Sequence, residues 1–194
     1  MLAGKRELSR KATYEDLCKV PDRFVSELLD GELYVSPRPA IPHANAEIVI
    51  GHDVFGRFGR PPGGDSPDGW WILFEPELHF GQNVLVPDVA GWRRERMPVL
   101  LPTAHIEMPP DWVCEILSPH TAAMDRLKKM RIYARAEVSF AWLVDPLART
   151  VEVFRRHGEF WTRIAAHGDD EHAALEPFAS ATFDLETWWL PQQL

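Results

Sequence analysis

The chain has 194 residues, 45% hydrophobic and 26% charged, with a formal net charge of −8. That length and balance fit one globular domain over residues 1–194 and exclude disordered and collagen-like classes. The negative total argues against broad electrostatic binding of nucleic acid. The charge is uneven, however: residues 87–163 carry 12 basic and 10 acidic side chains, whereas 164–194 carry six acids and no base. An anionic partner is expected to meet the middle third.

Residues 1–12 lack the apolar stretch of a secretory signal and read as a loosely ordered arm. No run reaches the roughly 18 apolar residues of a membrane span, so a soluble, cytoplasmic protein without a membrane partner is expected. Cys18 and Cys114 match no metal spacing. They are expected as two buried thiols, with a single disulfide as the alternative.

Thr13, followed by Tyr14, Glu15 and Asp16, predicts a helix start that must stop before Pro21. FVSELLDGELYVSP holds two strand-like runs around Asp30-Gly31, a hairpin signal. From 43 to 60 the spacing of Ile48, Val49, Val54, Phe55 and Phe58 predicts a helix, and PPGGDSPDG after it predicts a loop. WWILFEPELHF and NVLVPDVAGW read as strands, the first broken or placed at an edge by Pro76. A long proline-rich connection leads to the strand WVCEIL. A helix over 121–136 follows, with Ser118-Pro119 as its start. FAWLVDP, TVEVFRR and FWTRIAA predict three more strands, and Trp188-Trp189 a short C-terminal anchor. The order argues an α/β or α+β sandwich built on one mixed sheet.

Three acids stand among apolar neighbours. Alternation places Val84, Val86 and Asp88 on one face, and Val113, Glu115 and Leu117 on one face of the next strand. Glu27 opens the hairpin. A buried carboxylate must be paired, hydrogen-bonded, protonated or bound to metal. Converging acids repel one another, and a hard dication such as Mg²⁺ or Mn²⁺ relieves that repulsion. Each acid alone is more often a turn former or an arginine partner than a metal ligand. Asp125, Lys129 and Tyr133 follow at i, i+4, i+8, as either a surface pair or a lysine held over a metal site. Arg126, Lys128, Lys129, Arg131 and Arg135 form the densest basic stretch, either a solvated face or a contact for a phosphate backbone. The eight histidines form no HExxH or His-x-His pattern, which speaks against zinc. GxSxG and Walker A sequences are absent.

SELLDGELYVSPRPAIPH, VLVPDVAGW, WVCEILSPHTAAMDRLKKMRIYA and VSFAWLVDPLARTVEVF together resemble the Uma family of the PD-(D/E)XK nuclease superfamily. The resemblance implies a restriction-endonuclease-like fold, a central mixed β-sheet flanked by helices. It also implies Mg²⁺- or Mn²⁺-dependent hydrolysis of phosphodiester bonds in nucleic acid, DNA first. Asp88 matches the P-D aspartate, Glu115 the second acid, and Glu27 a glutamate near or on the metal. Lysine at two residues beyond the second acid is replaced by Leu117, and the family's recurrent lysine matches Lys129 on the next helix. The implied roles are Asp88, Glu115 and Glu27 on metal, Lys129 on the attacking water, and Asp125 and Tyr133 in support. Arg126, Lys128 and Arg131 are candidate nucleic-acid contacts. The sequence does not fix an oligomeric state; a homodimer is the assembly the resemblance allows, because related nucleases are often dimers. A catalytically silent nuclease-fold interaction module and a hydrolase of another phosphate ester are the alternatives. In the enzyme reading, Glu115→Ala or Lys129→Ala is expected to abolish cleavage with little change in melting temperature.

Overall fold

The computed structural model describes residues 4–6, 10–59, 69–169 and 171–191. The hairpin forms as predicted: β2 (Phe24–Leu29) and β3 (Glu32–Pro37) pair antiparallel. Its two-residue turn has φ of 52° at Asp30 and 85° at Gly31, the positive values a tight right-twisted hairpin requires. β1 (Gly4–Arg6), within the arm expected to be loose, adds to the outside of β3. α1 (Tyr14–Leu17) starts at Thr13, whose side chain and backbone N–H both bond Asp16.

α2 (Ile41–Val54) begins one residue ahead of Pro42 and runs into a π-helical turn over Phe55–Gly59. The helix was expected, but its face differs. Ala46, Ile50 and Val54 point into the core, while Ile48 is 59% and Phe55 37% exposed. The loop expected over 61–69 lies outside the described residues except for Gly69.

Where one mixed sheet was expected, two main sheets form. β4 (Trp70–Phe74) and β7 (Val89–Arg93) belong to a six-stranded sheet. β5 (Leu78–Phe80) and β6 (Asn83–Leu85) belong to a five-stranded one in the order β1-β3-β2-β6-β5. The chain thus changes sheets twice, at 75–77 and at 86–88, and each crossing contains a proline, Pro76 or Pro87. Proline removes the ladder N–H, so neither apolar run continues as a single strand. Val84, on β6, and Asp88, within the 86–88 crossing, therefore do not share one face of one strand as expected. The Glu75 N–H donates to the Asp88 carbonyl at 3.0 Å across the corner between the two sheets.

β8 (Trp112–Ile116) pairs antiparallel with β7 and parallel with β9 (Phe140–Asp145). Parallel neighbours need a crossover. It is supplied by α3 (Ala122–Met124), a π-helical turn over Asp125–Lys129 and α4 (Met130–Arg135). β10 (Thr150–His157) and β11 (Phe160–Gly168) complete the sheet as the predicted meander, and β12 (His172–Ala173) pairs with β13 (Phe183–Asp184).

All five residues of β8 are buried, so both faces of this central strand are covered. Trp112, Cys114 and Ile116 join a core with α2 and the C-terminal segment, where Trp188 and Trp189 lie. The Phe178 ring sits 4.7 to 5.7 Å from those of Phe58, Trp70, Trp112 and Trp142. Val113 and Leu117 face the crossover helices, in a second core with Ile132 and Tyr133. Cys114 is buried as expected, but Cys18 is exposed, and both are free thiols. Among the described residues no helix is long and apolar enough to cross a membrane.

Candidate active site

Glu115 shares the β8 face of Val113 and is 2% exposed. Packing of the crossover against that face brings Lys129, 3% exposed, directly onto the carboxylate. The Lys129 ammonium lies 2.8 Å from Glu115 Oε2 and 3.0 Å from Glu27 Oε1, and donates to the Val86 carbonyl at 3.1 Å. Asp125 stands 3.8 Å away on the same helical face. The Tyr133 hydroxyl donates to Glu115 Oε1 at 2.5 Å. Glu27 Oε1 also accepts the Val86 N–H at 2.9 Å, so the corner between the sheets holds both Glu27 and Lys129. The Met130 N–H bonds the Asp125 carbonyl in the wider π pattern, which positions Asp125 and Lys129 together.

Three acids thus surround one buried ammonium. Burial pushes Glu115 well above the usual carboxylate range even with Lys129 beside it, and pushes Asp125 up to about 7. Burial opposes the charge on Lys129, but Glu115 and Glu27 outweigh it and hold the ammonium protonated. Tyr133 is raised by burial and by the Glu115 charge, so its hydroxyl remains a donor.

Asp88 occupies the second corner crossing. Its Oδ2 accepts the Ile116 N–H at 2.5 Å, and its Oδ1 lies 3.3 Å from His43 Nε2 on α2. His43 Nδ1 is buried, has no hydrogen-bond partner among the described residues, and stands 4.0 Å from Glu47. Burial, then Asp88 and Glu75, raise Glu47 to about 7. Burial opposes the imidazolium, but the hydrogen bond and charge of Asp88 raise the His43 pKa overall. One cavity of about 470 Å³ is lined by Glu27, His43, Asp88, Glu115, Asp125 and Lys129.

The Uma2 family, described as "Putative restriction endonuclease", matches residues 12–187. The chain belongs to this family. Its fold is shared with a crystal structure described as "a putative nuclease belonging to DUF820" from Anabaena variabilis. The two are 22% identical, with a TM-score of 0.69 over 91% of this chain and 98% of that one. No curated protein matches the chain. Membership makes the chain part of a nuclease family, and the restriction-endonuclease-like fold read from its motifs is the fold observed.

Within this Uma2 chain, Glu27, Asp88, Glu115, Asp125 and Lys129 come together around one cavity, and Tyr133 stands behind Glu115. The other basic side chains of the crossover point elsewhere. Arg126 lies 2.6 Å from Glu152, Lys128 lies 3.0 Å from Glu32 and over the Tyr34 ring, and Arg131 is exposed. Sequence reasoning missed His43 and Glu47. Their i, i+4 spacing on a predicted helix was the available signal, obscured because the apolar face was drawn through Ile48 and Phe55.

Divalent metals are the general cofactor class of restriction-endonuclease-like families, and the donors present suit such an ion. His43, Glu47 and Asp88 each offer a ligand atom, all within 4.8 Å of one another. The unpartnered His43 Nδ1 and the acid excess around a single lysine are both relieved by a dication.

Proposed function

We propose that this chain hydrolyses phosphodiester bonds of nucleic acid, with DNA as the expected substrate, and uses Mg²⁺ or Mn²⁺. The reading rests chiefly on one observation: Lys129 is buried at 2.8 Å from Glu115 in the same cavity as Asp88. Asp88 would hold the ion, with His43, Glu47 and Glu115 as the further donors and Glu27 behind them. Such an ion supplies charge to neutralise the scissile phosphate and makes a bound water more acidic.

The chain's own residues supply the remaining parts. The Ile116 N–H fixes the Asp88 carboxylate by bonding Oδ2. Tyr133 and Lys129 each engage one oxygen of Glu115, which sets its orientation. An ammonium has three N–H donors; Glu115 Oε2 and the Val86 carbonyl each accept one, and Glu27 Oε1 adds an ion pair at 3.0 Å. Lys129 therefore contributes a fixed positive potential first. Its third N–H would be the one to reach an attacking water or a phosphate oxygen, with the hydrogen bonds to Glu115 and the Val86 carbonyl kept. Asp125, 3.8 Å behind the ammonium, would offset part of its positive charge when ionised.

The test is a cleavage panel on the purified chain: supercoiled plasmid, linear duplex, single-stranded RNA and a small phosphodiester, with Mg²⁺, Mn²⁺ or chelator. Metal-dependent cleavage of plasmid, lost in Asp88→Asn and Glu115→Gln, is expected. Turnover of the small ester alone would assign another phosphate-ester hydrolase. No turnover of any substrate at millimolar metal would leave the silent interaction module.

A further inference from the structure

A second set of metal-ligating side chains lies outside this cavity, on the outer strand of the five-stranded sheet. Glu77 and His79 flank Leu78 of β5 and, two residues apart, emerge on one side of the strand. His105 comes from the long connection before β8. Two backbone hydrogen bonds fix that segment against β5: His79 N–H to the Ile106 carbonyl at 3.0 Å, and Ile106 N–H to the Glu77 carbonyl at 2.9 Å. The imidazoles of His79 and His105 stack with centroids 4.0 Å apart and planes 15° off parallel. His79 Nε2 lies 2.7 Å from Glu77 Oε1, and the Tyr14 hydroxyl donates to that same oxygen at 2.9 Å. One ligand atom from each of the three side chains lies within 4.8 Å of the others. Their side chains are 27%, 17% and 38% exposed for Glu77, His79 and His105, half-buried yet open to an ion from solvent.

We propose that Glu77, His79 and His105 form a second metal site, selective for Zn²⁺ or a similar first-row transition ion, that clips the long connection onto the β5 edge. Two imidazole nitrogens and one carboxylate oxygen are a borderline donor set, which suits zinc and disfavours Mg²⁺. The set around Asp88, two carboxylates with a single imidazole, is the harder of the two. The backbone bridge holds the two segments together before an ion arrives, and one imidazole must turn out of the stack for both rings to aim a nitrogen at the ion. Tyr14 orients the Glu77 carboxylate from behind, as outer partners of metal ligands commonly do. The clip also covers an outer strand that otherwise offers unpaired backbone groups. The site does not depend on the nuclease reading. No histidine spacing in the sequence would signal such a site, because the third ligand reaches the pair through a bridge between distant segments.

The test is calorimetric titration of the untagged, metal-stripped full chain with ZnCl₂, alongside thermal unfolding with and without Zn²⁺. Wild type is expected to take one Zn²⁺ per chain at this site and to melt at a higher temperature. His105→Gln and Glu77→Gln are each expected to weaken binding by about tenfold or more and to remove the zinc-dependent rise, with melting in chelator unchanged. Asp88→Asn is expected to keep both. Equal zinc affinity in wild type, His105→Gln and Glu77→Gln would overturn the proposal, as would a zinc isotherm lost only in Asp88→Asn.

Discussion

Replacing Lys129 with methionine keeps most of the side-chain volume and deletes the one cation at the centre of the buried cluster. Glu115 at 2.8 Å and Glu27 at 3.0 Å then lose their counter-charge, and Asp125 at 3.8 Å loses its nearest one. Removing one partner of a buried ion pair costs about 3–5 kcal/mol, because the remaining charge stays desolvated. The cost must depend on pH. Glu115 and Asp125 are already raised by burial, and without Lys129 they rise further, so the folded variant binds more protons than the unfolded chain. Its stability therefore falls as pH rises. At pH 8 the full ~3–5 kcal/mol loss is expected. Near pH 5 protonated acids leave only lost hydrogen bonds, about 1–2 kcal/mol. Urea unfolding of both proteins at the two pH values measures this directly, with an unchanged m-value as the control. Lys129→Met/Glu115→Gln is expected to regain part of the loss at pH 8. A loss below about 1 kcal/mol at pH 8, or one independent of pH, would refute the ion cage. The cage also revises the sequence expectation that a Lys129 variant keeps its melting temperature, so its activity must be read on protein shown to be folded.

Glu115→Gln retains an acceptor for Tyr133 and leaves Lys129 with Glu27, so a stability change within about 1 kcal/mol is expected alongside loss of metal-dependent cleavage, read by unfolding and plasmid nicking. Glu47 is raised from 4.5 to about 7 in the folded chain, so its contribution is present below pH 4.5 and is lost as pH rises to about 7. Metal-free protein should therefore lose roughly 2 kcal/mol from this group over that window. Mg²⁺ or Mn²⁺ should stabilise more at pH 8 than at pH 5.5, as thermal unfolding would register. Gly31→Ala places a Cβ at a φ of 85°, where Lys11 Cδ is 3.1 Å away. A loss of about 1–2 kcal/mol follows, readable in urea.

Much of the architecture is local and legible. Asp30-Gly31 names its own turn, and the alternation around Glu115 correctly assigns Trp112, Cys114 and Ile116 to one core and Val113 and Leu117 to another. The i, i+4, i+8 set of Asp125, Lys129 and Tyr133 also falls on one face directed at Glu115. What escaped the sequence is non-local. Pro76 and Pro87 signal breaks, but nothing near them says that the chain leaves one sheet for another. Joining Asp88 to the corner with Glu75, and to His43 on α2, needs that crossing. The basic run of the crossover diverges because three of its side chains meet different acids: Glu152 for Arg126, Glu32 for Lys128, and Glu115 for Lys129.

A crystal of the full chain soaked in Mn²⁺ and measured at the manganese absorption edge tests the central claim most directly. The account predicts an anomalous peak in the cavity, coordinated by Asp88, with Lys129 beside Glu115. Manganese density confined to Glu77, His79 and His105, or none within the Asp88 cavity, would contradict it.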